Sequence, residues 1–146
     1  MTSYWQINRY NHVAVETADQ KELILICYDE AIRALQQGVE CTLQKKFEEK
    51  ARLLIRAQNF ITELMVSVNM EAGGQIAQNL QDLYGFFLKS ISKADIKGDM
   101  RLVDQTVKML SELRSAWAEI DSRTSAGVVP NQAYGQVAMA ARGFAV

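Results

Sequence analysis

The residues best suited to chemistry are few: one histidine, His12, two cysteines, Cys27 and Cys41, and an adjacent acidic pair, Asp29 and Glu30. A di-metal carboxylate bundle needs Glu-x-x-His pairs projecting inward from facing helices, which a lone histidine cannot supply. Zinc would take both cysteines plus further ligands at short spacing, and none stand near them. Neither a glycine-rich phosphate loop nor a nucleophile elbow occurs. Asp29 and Glu30 fall on the polar side of a helical pattern, which makes them a solvated face rather than an acid–base couple. The expectation is a protein without catalytic residues, metal or cofactor, and so not an enzyme.

Bulk properties narrow the partners. The chain has 146 residues, with 16 basic and 17 acidic side chains and a net charge of −1. Basic residues are interspersed with acidic ones, so nucleic acid is not an expected partner. The longest apolar run, Leu23 to Tyr28, falls far short of the ~20 residues of a membrane span. No charged-then-apolar leader pattern opens the chain, which leads to an expectation of a cytoplasmic protein with no membrane insertion. Cys27 and Cys41 read as buried thiols.

Four elements must position whatever functional surface exists. An arm over 1–18 carries Tyr4, Trp5, Ile7, Tyr10 and Val13. Asp19, with Glu22 three residues on, forms a capping box for a helix to about Leu43. A second helix spans about Phe47 to Val68 and stops at a turn containing Gly73 and Gly74. A third runs from about Gln75 to Ala94. Gly98 and Asp99 supply a C-cap and an N-cap, and a fourth helix carries a narrower stripe through Leu113 and Trp117. Helices of ~20 residues joined by short connections predict an all-α, antiparallel up-and-down four-helix bundle over 19–122. A flexible tail over 123–146, containing Pro130 and three glycines, follows it.

The second helix has too much apolar surface for one packing face. From Leu53 to Val68, apolar residues spread over about 240° of its circumference, against a little more than 100° for an ordinary bundle helix. Either this helix is deeply buried or a second face awaits a partner. Leu53, Phe60 and Leu64 form the outer ridge of that arc, and Phe86 points away from the apolar face of the third helix. A continuous patch of this kind is rarely left bare and suits an amphipathic helix laid across it. The arm could cover such a groove while it is empty, or simply cap the bundle end.

The order of residues also resembles a family. Tyr10, Val13, Thr17-Ala18-Asp19, Leu23, Tyr28-Asp29 and Ala31-Ile32 resemble the opening of the flagellar secretion chaperones specific for flagellin, the FliS family. Ile61, Glu63-Leu64, Gly73-Gly74, Ile76-Ala77, Asn79-Leu80, Leu83-Tyr84, Ala94, Asp99, Leu110, Leu113-Arg114 and Trp117 continue the match. The chain departs from the family pattern at Asp19-Gln20, Cys27, Glu30 and Gly85-Phe86, and the tail has no counterpart. The resemblance implies a cytoplasmic chaperone that binds the C-terminal segment of flagellin, blocks premature polymerisation and delivers the client to the export gate. The expected binding surface is Leu53, Phe60, Leu64, Asn79, Leu83 and Phe86, with Ile24 and Tyr28 at its edge and Tyr10 as a mobile cover. The chain is expected to be a monomer or weak homodimer. Its rivals are an adaptor for another amphipathic helix and a structural helical oligomer whose wide faces meet each other.

Overall fold

The computed structural model describes residues 20–68 and 70–119. Four helices occupy them: α1 (Gln20–Leu43), α2 (Phe47–Ser67), α3 (Met70–Lys97) and α4 (Met100–Glu119). The expected all-α four-helix bundle is therefore the architecture. The arm with Tyr10 and His12, the Asp19 cap and the 123–146 tail lie outside the described residues. No helix among the described residues is long and apolar enough to cross a membrane.

α1 packs against α2 and α4, and α3 against the same two helices, which sets α1 and α3 on a diagonal. Along the α2–α3 seam, Lys50 pairs with Asp95 at 2.7 Å, Gln58 donates to Ser92 Oγ at 2.8 Å, and Gln81 donates to the Met65 carbonyl. Rising numbers on α2 meet falling numbers on α3, so these neighbours run antiparallel. Small residues let α1 and α2 approach closely: Ala31, Ala34 and Ala57 are buried, and a Cβ placed on Gly38 would sit 3.1 Å from Leu54 Cδ2. Leu80, Tyr84 and Phe87 of α3 fill the centre with bulk instead, all buried against Leu110 and Leu113 of α4.

The helix ends follow from local backbone chemistry. α1 ends with Lys45 in the left-handed region (φ 59°), and the Lys46 amide donates to the Cys41 carbonyl at 2.8 Å. α3 ends the same way at Gly98 (φ 68°), with the Asp99 amide donating to the Ala94 carbonyl at 3.1 Å. Both close carbonyls that a helix end otherwise leaves unpaired. The Asp99 carboxylate then accepts the Arg101 amide at 3.1 Å as the α4 N-cap. Gly74 interrupts α3 near its start (φ 54°, ψ −133°). It is thus the backbone reversal expected of the Gly73-Gly74 pair, and the long straight part of α3 follows it.

Candidate partner-binding surface

The structure redistributes the residues expected to form one surface. Tyr28 is fully buried: its hydroxyl lies 2.5 Å from that of Tyr84 and accepts the Trp117 indole N–H at 3.1 Å. Ile24, Phe60, Leu64 and Leu83 also belong to the core, none more than 6% exposed. The expectation of an outer Phe60–Leu64 ridge, with Ile24 and Tyr28 at its edge, is corrected accordingly. The physical reason is the close approach of α1, which covers that side of α2. Arg56 shows the direction, standing 5.0 Å over the Phe60 ring while pairing with Glu30 of α1 at 3.2 Å. Phe60 is a packing residue, and a change there reports on folding before contact.

Leu53, Asn79 and Phe86 stay half-buried. Leu53 flanks Gly38 on the α1 side of α2. Asn79 accepts the Gln75 amide at 2.9 Å, and the Phe86 ring lies 6.1 Å from that of Phe87 at the core's margin. On α3 it is Gln81, Leu88 and Ser92 that meet α2; at ~100° per residue, Asn79 and Phe86 fall roughly opposite them. Leu53 therefore lies on a different flank from Asn79 and Phe86.

Exposed apolar side chains also stand on α2 and α3. Ile55 is 56% exposed, Val66 62% and Ile96 85%, with Met65 and Leu88 half-buried beside them. A shallow furrow of about 430 Å³ is lined by Leu88, Lys89, Ser92, Lys93, Ile96 and Lys97. Gln58 of α2 reaches this stretch of α3, donating to Ser92 Oγ and, at 3.4 Å, to the Leu88 carbonyl. Gly85 lies further along α3, where a Cβ would touch only Met65 Cε at 3.9 Å. No internal packing demands a glycine there.

Sequence reasoning missed Ile96 as a surface candidate because it ended the third helix at Ala94, and Leu88 because its spacing groups it with the apolar face of that helix. The usable signal was Leu88, Ser92 and Ile96 at steps of four beside Lys89, Lys93 and Lys97, continuing to the Gly98 stop.

The arrangement offers contact chemistry. Asp29, read as solvated, accepts two bonds from Arg114 of α4, the shorter 2.8 Å, and Glu30 pairs with Arg33 and Arg56. These carboxylates tie α1 to its neighbours. Among the described residues no group of His, Cys, Asp and Glu could hold a metal. Cys27 is a buried and Cys41 a half-buried thiol, neither of them in a disulfide. Burial raises the pKa of Glu63.

Comparison with known proteins adds a family. Residues 3–124 match the family model described as flagellar protein FliS. The flagellar secretion chaperone FliS of Vibrio cholerae is 30% identical over 118 residues, which cover 78% of this chain and 87% of the relative. Its namesake in Salmonella typhimurium is 29% identical over 124 residues, covering 82% and 92%. The Bacillus subtilis protein of the same name is 24% identical over 110 residues, covering 75% and 81%.

Proposed function

The chain belongs to the FliS family of flagellar secretion chaperones, and we propose that its client is flagellin, whose C-terminal segment it binds in the cytoplasm as a helix. Covering that segment keeps flagellin from polymerising early and holds it ready for the export gate. The observation that carries this reading is the exposure of Ile55, Val66 and Ile96 on two adjacent helices. Exposed apolar side chains on neighbouring helices favour an amphipathic helix with anchors at i, i+3, i+4 and i+7. A client that wraps around α2 and α3 reaches Leu53 on one flank, the exposed side chains of both helices, and Asn79 with Phe86 on the other flank. Ordering the client on the chaperone offsets part of the contact energy, which leaves the complex releasable without hydrolysis by this protein.

The test is a titration of the chain with the C-terminal segment of its cognate flagellin, followed by calorimetry and circular dichroism. Helicity of the mixture is expected to exceed the sum of the parts. Ile55→Asp and Val66→Asp, both at positions more than half exposed, are expected to fold normally and to weaken binding at least roughly ten-fold, as loss of an interface anchor does. Undiminished affinity in both variants would sink this choice of face.

A further inference from the structure

Resting on the reading that α2 and α3 take a helical client, we infer that Lys89, Lys93 and Lys97, on the exposed side of α3, recognise a row of carboxylates along one edge of that client. The three lysines stand four residues apart on α3, which places their attachment points about 6 Å apart along one ridge. Leu88, Ser92 and Ile96 form the next ridge, and the furrow follows both. Parallel ridges at steps of four make the groove into which a second helix sets its own ridge. An incoming helix with apolar side chains over Leu88 and Ile96 carries its neighbouring row past the lysines.

Charge tells what that row must be. Arg52, Arg56, Arg114 and Lys50 all have carboxylate partners within the bundle. Lys89 and Lys93 have no ion pair among the described residues, and Lys97 acts at most as one of the weaker influences that hold the Asp99 carboxyl low. A cation in the last turn, such as Lys97, answers the partial negative charge of a helix end. That effect fades within one turn, and Lys89 lies two turns further in. Asp82, one heptad before Lys89, reverses the sign along the same side of the helix. The face is therefore polar lengthwise, positive toward Gly98, and it orients a client as well as holding it. A chain of net charge −1 has no general attraction to anionic lipid, which favours a protein client over a membrane.

The experiment compares the full chain with Lys89→Glu/Lys93→Glu, using the cognate flagellin C-terminal segment as the probe at low and high salt. Reversal is expected to weaken binding roughly ten-fold at low ionic strength, in scale with exposed ion pairs. The difference should shrink as salt screens it, and a segment whose acidic row is changed to lysine should bind the reversed chain better than the native one. Equal affinity of both chains at every salt concentration, or no gain with the swapped segment, overturns the inference while leaving flagellin binding standing. Failure of the native chain to bind any flagellin segment removes the functional reading and this inference with it. Capture of only the native chain by phosphatidylglycerol vesicles, with flagellin affinity unmoved by the reversal, assigns the lysines to lipid and also overturns it.

Discussion

Tyr28, Tyr84 and Trp117 bring three polar hydrogens to two oxygens in a site closed to water. Tyr28 is the hub, since its oxygen accepts from the indole and shares a hydrogen bond with Tyr84. Tyr28→Phe strands both partners and should cost about 2 kcal/mol, whereas Tyr84→Phe strands only one and should cost about 1 kcal/mol. Urea denaturation of the two variants checks the order, and a larger loss for Tyr84→Phe would show that the hub is misplaced. The aliphatic and aromatic core was legible from spacing, including Leu113 and Trp117. Phe60, Leu64, Ile24 and Leu83 were not correctly divided between core and surface. An arc on one helix reports how much apolar area it carries, and not whether a second helix of the same chain or another protein covers it.

Two helix ends of the same geometry carry different residues, which makes them a matched pair. Lys45 and Gly98 both hold positive φ, a conformation that costs a side-chain-bearing residue roughly 1–2 kcal/mol and glycine little. Lys45→Gly is expected to raise stability by about 0.5–1 kcal/mol once the greater freedom of the unfolded glycine is counted. Gly98→Ala is expected to lower it by about 1–2 kcal/mol, all of it backbone strain, because nothing lies within 4 Å of the added Cβ. Chemical denaturation with unchanged m-values is the check; a stabilised Gly98→Ala would contradict the assigned geometry. The Gly98-Asp99 stop was readable because both residue types favour their roles. Lys45 was not, since lysine has no preference for the left-handed region, and tertiary closure of α1 onto α2 imposes it.

Taken as one molecule, the bundle buries ionisable groups that respond together at high pH. Burial holds the protons of Tyr28 and Tyr84 well above the ordinary tyrosine range, and their mutual hydrogen bond is a smaller influence. Above about pH 10 the unfolded chain loses these protons while the native chain keeps them, so the native state binds more protons and stability falls as pH rises. Below that pH the full stability is present. Thermal melts from pH 8 to 11 should show the decline, about 1.4 kcal/mol per pH unit per tyrosine, and Tyr28→Phe/Tyr84→Phe should flatten it. An unchanged slope in the double variant would assign the decline to other groups. At this scale the fold was legible in full outline, four helices with short reversals, because the elements are long and strongly periodic. The proposed binding face was legible only as a surplus, since its location depends on which sides of α2 and α3 the neighbouring helices leave free.

Trp117, in the last turn of α4, hydrogen-bonds Tyr28 near the start of α1, so the described chain enters and leaves the bundle at one pole. Lys97 and Gly98 stand at the other, where α3 hands over to α4. An anchor attached at Lys21 or at Glu119 therefore holds the same pole to a sensor chip or resin and presents the lysine pole to solution. Comparing the two immobilised formats tells anchor interference apart from a genuine docking footprint.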